Sequence, residues 1–285
     1  MHSDRQPHPA AGNPAEEDLE SEVRSLRDEV RSLRTQERAR SRVALAQGML
    51  MGRYHLPDGD TAFTLLRESS QRFNVKLHQV AAALSTTSPP PDRDSLWFPG
   101  RTRTDPPALT GLRAGPLDPR NQGEVLKAAL HRVMDVVGAE SGNAQLQEAD
   151  VLRMERHEGH PRAFVDYFAF VGDGTSCHRA AHAARQVTVR DVASTEIFDE
   201  ETRQVILDSG SRAAHSVPLT GLDGIARGVI SSHHARPLTG FRPVQLAELD
   251  RIQHMVGGWL SWHAGTVLRD ALEHLHLQAA GISTR

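Results

Sequence analysis

Between residues 42 and 84 the apolar side chains return every three or four positions in three successive runs, a pattern that restricts the stretch to amphipathic helices. Leu45, Met49 and Leu50 carry the first run, Ala62, Phe63, Leu65 and Leu66 the second, and Leu77, Val80, Ala81 and Leu84 the third. Leu56-Pro57-Asp58-Gly59-Asp60 separates the first two, with proline and glycine to stop one helix and an aspartate to cap the next. Asn74 is expected to cap the third helix, after Phe73 turns inward. Helices with a single apolar face must bury those faces together, so the stretch predicts a small three-helix bundle.

The bundle is locally basic. From residue 38 to 84, Arg38, Arg40, Arg42, Arg53, Arg67, Arg72 and Lys76 stand against only Asp58, Asp60 and Glu68, whereas the whole chain has a net charge of −3. A role in nucleic-acid binding must therefore be local. Cations gathered on one module attract phosphate and release counterions, but by charge alone the simpler reading is that these side chains solvate helix surfaces.

The segments Ala46-Gln47-Gly48-Met49-Leu50-Met51, Ala62-Phe63, Leu65-Leu66-Arg67, Ser69-Ser70, Asn74-x-Lys76-Leu77 and Val80-Ala81 resemble the ANTAR domain. That resemblance implies an RNA-binding three-helix module of bacterial transcription antitermination regulators, which hold an antiterminator hairpin in a nascent transcript against the competing terminator. Where the family carries a lysine before the glycine of the first motif, this chain has Gln47, an amide without charge. The expected RNA-binding residues are Gln47, Gly48, Arg53, Arg67, Ser70, Arg72, Asn74 and Lys76. Arginine and lysine would neutralise phosphate, and Gln47, Ser70 and Asn74 would meet unstacked loop bases. Gly48 would allow close approach.

At 285 residues the chain has room for more than one domain. Residues 1–15 lack any period and are expected to be a disordered tail. In 16–41, Leu19, Val23, Leu26, Val30 and Leu33 alternate four and three apart, placing valine at a and leucine at d of a parallel two-stranded coiled coil. A homodimer is the expectation. The three-helix module then spans 42–85, and residues 86–119, with Pro89-Pro90-Pro91, read as a linker that also holds Trp97 and Phe98. No apolar run is long enough to cross a bilayer and no signal core opens the chain, so a cytoplasmic protein without a membrane partner is expected. The single cysteine, Cys177, cannot form an internal disulfide.

Residues 120–268 read as one α+β domain with a central antiparallel sheet, and 269–285 as a C-terminal tail. A helix is predicted over 124–137 and another over 244–263, with strands at 143–148, 151–156, 164–171, 187–192, 215–219 and 228–233. Gly172-Asp173-Gly174, Gly210 and Asp223-Gly224 mark turns. The order of Val187-Thr188-Val189-Arg190-Asp191-Val192, Ile197-Phe198, the run from Gly210 to Leu219, Asp223-Gly224 and Gly228-Val229-Ile230-Ser231 is similar to a GAF domain. The fold class is thus an all-α coiled coil and three-helix bundle followed by an α+β GAF-like domain. That family implies a small-molecule sensor or a dimerising module.

Phe168, Phe170, Cys177, His178, Asp191 and Phe198 are the candidate lining of a sensor pocket for an unidentified small molecule. His178 and His182 lie one helical turn apart, yet no closed ligand set for a metal or haem emerges. No P-loop, nucleotide-binding glycine motif, serine elbow or kinase loop is present, so no enzyme is expected. The alternative from another class is a signalling scaffold that dimerises and binds a ligand or protein without RNA.

Overall fold

The computed structural model describes residues 40–283 and, ahead of them, Glu22, Val23, Leu26 and Glu37. The expected tail at 1–15 lies outside the described residues, as do Leu19, Val30 and Leu33 of the coil seam. Val23 and Leu26 are helical, with side chains 38% and 53% exposed.

The helical module is built as its periodicity requires, with one shift of phase. Helix α1 (40–54) buries Ala46, Leu50 and Tyr54, each four residues from the next. Leu45, expected on that face, is 56% exposed, because the inward stripe begins one position later. Helix α2 (Gly59–Phe73) is capped by Asp58, whose Oδ1 accepts from Thr61 N–H at 2.7 Å, and it buries Ala62, Leu65, Leu66 and Ser69. Asn74 does not cap the third helix. It closes α2 in the left-handed conformation (φ 52°), which a short amide side chain tolerates. Lys76 then precedes α3 (Leu77–Thr86), which buries Val80, Ala81, Ala83 and Leu84.

Beyond the module, α4 (Gln122–Val137) starts at an Asn121 cap and ends at a left-handed Gly138. Strands β1 (Ser141–Glu148) and β2 (Val151–Glu158) form a hairpin, followed by α5 (Arg162–Tyr167), β3 (Phe170–Val171), α6 (Ser176–Ala183), β4 (Val187–Val189) and α7 (Glu200–Asp208). Strands β5 (Ala213–Thr220) and β6 (Ala226–His234) form a second hairpin, and α8 (Pro243–His263) follows. The six strands run in the order β3-β2-β1-β6-β5-β4, every neighbour antiparallel. This is the antiparallel GAF-like sheet the sequence implies. Its two faces are unlike. Leu146, Val217, Leu219 and Ile230 share a core with α4 and α8, whereas Leu152, Ala214 and Val229 pack with Phe164, Phe168, Cys177, Ala180 and Ile206. Helix α8 lies so close to β5 that a Cβ on Gly257 would sit 2.1 Å from the Thr220 carbonyl oxygen.

One predicted strand is half helix. Residues 164–171 contain most of α5 and the two-residue β3, and Phe164 and Phe168, four apart, are both buried. Aromatic residues one helical turn apart read as strand by composition; after Pro161, the helical spacing wins.

The segment set apart as a tail is also a helix. A π-helical turn (Ala264–Leu268) joins α8 to α9 (Arg269–Ser283), which buries Ala271, Leu272, Leu275, His276 and Ala279. Helix α9 packs against α2 and α3, making the three-helix module a four-helix arrangement. The linker is held as well. Trp97 is buried and its indole N–H donates to Ser88 O at 2.7 Å, while Glu273 accepts from the backbone N–H groups of Trp97 and Phe98. Further along, Arg101 and Arg103 both pair with buried Asp270, and Trp262 and Trp259 donate to the carbonyls of Thr104 and Pro119.

Candidate functional site

The eight expected RNA-binding residues divide into two groups. Gly48, Arg67, Arg72 and Asn74 are exposed. Among the described residues outside its own helix, no atom lies within 4 Å of where a Gly48 side chain would begin. Arg72 and Asn74 share the C-terminal end of α2, with the Arg72 guanidinium 5.9 Å from the Phe73 ring centroid.

The other four are engaged within the fold. Gln47 donates its amide N–H to Gly59 O at 2.8 Å and thereby ties α1 to the start of α2. The Ser70 hydroxyl donates to Val75 O at 2.6 Å and supports the α2–α3 turn. Arg53 lies over the Trp97 ring at 5.2 Å. Lys76 pairs with Glu155 of β2, a carboxylate whose side chain is 2% exposed. His78 Nε2 reaches the other Glu155 oxygen at 3.1 Å. Burial drives the Glu155 carboxyl upward, but the His78 hydrogen bond and the Lys76 charge outweigh it and hold the pKa below 4.5. Arg42 makes a parallel pair with Glu148 of β1. Two cations of the helical module are therefore neutralised by the β1–β2 hairpin.

The second site lies under α5, α6 and α7. Phe168, Cys177 and Phe198 line a cavity of about 20 Å³, room for about one water. Phe170, His178 and Asp191 do not reach it. Phe170 lies on the edge strand under the Arg153 guanidinium at 5.1 Å, His178 Nδ1 is 3.2 Å from Asp173, and Asp191 sits 3.5 Å from Arg212. In their place stand Asn143 and Gln145 of β1 and Ser231 and His233 of β6. Their signal was a polar residue at every second position of two central strands, on a face expected to be apolar.

These polar groups are nearly dry. Asn143 and Gln145 are 3% and 1% exposed, and Asn143 Oδ1 and Gln145 Oε1 have no hydrogen-bond partner. His233 meets the Ser211 hydroxyl at 3.1 Å, and burial, with His160 and His234 nearby, pushes its pKa well below 6.5. The His160 ring stacks on Phe164 at 3.9 Å and stands edge-on to His233. Burial, then the charge of His157, lowers the His160 pKa to about 4. Burial raises the Cys177 thiol, so it is protonated near neutral pH. The cavity thus presents two unpaired acceptor oxygens to a space the size of about one water. Among the described residues no three His, Cys, Asp or Glu side chains gather as a metal site, and no helix is long and apolar enough to cross a membrane.

The helical module is docked on a GAF-like sheet domain that holds a buried polar cavity. Residues 31–84 match the family model for the ANTAR domain, ahead of the GAF-like domain. Among solved structures, the chain is similar to a GAF domain/HD domain protein from Geobacter sulfurreducens, at 14% identity and TM-score 0.40 over 53% of this chain and 93% of that one. It is also similar to the GAF domain of an Acinetobacter phosphoenolpyruvate-protein phosphotransferase, at 14% identity and TM-score 0.41 over 50% and 82%. The NreA protein of Staphylococcus aureus, mutated in its nitrate binding site, matches at 14% identity and TM-score 0.37 over 44% and 94%. No curated protein matches the chain in sequence.

Proposed function

We propose that this protein is a non-enzymatic, cytoplasmic, dimeric regulator of transcription antitermination, in which the ANTAR helices bind RNA hairpins of nascent transcripts under control of the GAF-like domain. The observation that carries the reading is the ANTAR match over 31–84 together with the exposure of Arg67, Arg72 and Asn74 on α2. Arginines there neutralise phosphate, and the Asn74 amide offers a donor and an acceptor to a splayed base. A coil through 16–41 would set two modules side by side and match an RNA with two hairpins.

Control requires the signal to favour one arrangement of the modules over another. The Lys76–Glu155 and Arg42–Glu148 pairs supply such a difference, since both join the ANTAR helices to the β1–β2 hairpin. A ligand that moves this hairpin changes how many cations face the RNA.

The test is a titration of the full chain into an RNA with two short-loop hairpins across a salt series. Binding that is micromolar or tighter, sensitive to loop sequence and steeply weakened by salt supports the proposal. The scaffold reading gains from Gln47, Ser70, Arg53 and Lys76 being engaged within the fold. Absence of RNA binding alongside a measured dimer selects it.

A further inference from the structure

A cleft of about 500 Å³ opens where the ANTAR helices meet the GAF-like domain. It is separate from the aromatic cavity, because it lies on the Leu146 side of the sheet rather than the Asn143 side. One wall is α3, with His78, Gln79 and Ala82; the opposite wall is formed by Glu148 and Ala149 of the first hairpin and Ile225 and Arg227 of the second. The π-helical turn between α8 and α9 closes the back.

We propose that this cleft is a binding site for a small organic anion with an apolar body, distinct from the sensor cavity. Its volume falls in the range of about 300–1,000 Å³ occupied by small-molecule sites. Leu146, Leu260, Leu268 and Leu272 provide an apolar surface, and Arg42, Arg227 and Arg269 add three cations. Arg42 and Arg227 already have carboxylate partners in Glu148 and Asp223. Arg269 has none among the described residues; its guanidinium rests on the Phe98 ring at 5.3 Å, and the residue is exposed at the cleft. An anion in the cleft supplies the missing partner.

His263 points to the same conclusion. It is 3% exposed, it lines the cleft, and its Nε2 has no hydrogen-bond partner among the described residues. Burial lowers its pKa to about 4, so the ring is neutral near pH 7, and with its other nitrogen donating to the Arg120 backbone, Nε2 is left to accept from an N–H or O–H of the ligand body. It stands directly before the π turn, Ala264–Leu268, a rare helical distortion that recurs at functional sites. Because α3 comes from one module and both hairpins from the other, an occupant of the cleft bridges the two and acts on their junction.

The probe for the test is anilinonaphthalenesulfonate, a fluorescent aryl sulfonate of the proposed chemistry, titrated into the full chain. The expected result is saturable binding that is about tenfold weaker in Arg269→Gln, the loss of one charge-assisted contact, and absent in Ala82→Trp, which fills the cleft. Circular dichroism of each variant verifies folding, and should Ala82→Trp not fold, the double variant Arg227→Gln/Arg269→Gln decides in its place. Affinity unchanged by these substitutions overturns the proposal, as does the absence of saturable binding. A titration altered only by Phe198→Leu places the probe in the aromatic cavity and overturns it equally.

Discussion

The Tyr54 hydroxyl and His276 Nδ1 lie 2.7 Å apart, both side chains buried, across 222 positions of sequence. His276 Nε2 is 2.8 Å from the Ser95 carbonyl, which can only accept, so Nε2 carries the proton and Nδ1 accepts from the tyrosine. Helix α1, the linker and α9 meet at this one imidazole. Ser69 adds a second tie by donating to Ala271 O at 2.5 Å. The last helix of the chain is thus part of the ANTAR core.

Removing that tie should weaken the whole module. Tyr54→Phe keeps the ring and deletes the donor, leaving a buried acceptor unpaired, with an expected loss of about 1–3 kcal/mol in urea unfolding. A chain ending at Leu268 should lose far more, because Leu272 and Leu275 no longer cover α2. Loss of the module's hydrogen-exchange protection in the shortened chain checks this; unchanged protection would show the three helices to be self-sufficient.

Two glycines separate contact from packing. The Cβ of Gly48→Leu meets no atom of the described residues beyond its own helix, and the change relieves a helix glycine, so the thermal midpoint should hold or rise slightly while RNA affinity falls. Gly257→Ala drives a methyl into the Thr220 backbone and should cost about 1–3 kcal/mol or more. If Gly48→Leu unfolds the bundle, that glycine has a packing role instead.

Arg67→Gln and Arg72→Gln each remove one exposed cation. Each should reduce the slope of log affinity against log salt by about one and weaken binding to all hairpins alike. Asn74→Ala, by contrast, should change loop preference more than the salt slope. Equal effects of all three would indicate non-specific attraction.

The junction should loosen in acid. Glu155 is held below its ordinary 4.5, so its contribution is complete above that value and fades as the pH falls through the lower, folded value. Hydrogen exchange in α3 and β2 should rise as the pH is lowered past 4.5, relative to the rest of the chain. Glu155→Gln should abolish that dependence and, by freeing Lys76, strengthen RNA binding at neutral pH.

Buried His160 and His233 act over a different window. Both have folded values below 6.5, so their neutral burial stabilises fully above 6.5 and the contribution is lost as the pH falls toward the folded values, about 4 for His160. Denaturant midpoints should therefore fall between pH 7 and 5. His160→Leu should flatten part of this fall; an unaltered slope would assign it to other groups.

Local order along the chain was legible from residue spacing, because a helix or strand needs only its own periodic apolar face and a cap. Ala62, Leu65 and Leu66 with Asp58 before them define α2, and the central strands and the helices at 122–137 and 243–263 follow from the same logic. The inward polar row of Asn143, Gln145, Ser231 and His233 was visible as letters, yet its meaning depends on which face of the sheet turns toward α5, α6 and α7. Nothing local reveals that Lys76 meets Glu155, 79 positions further on, or that α9 folds back to complete the first three helices. Short-range patterns determine which elements form. Which cations stay unpaired was decided by tertiary packing, since an ion pair between distant residues leaves no periodic trace in the sequence.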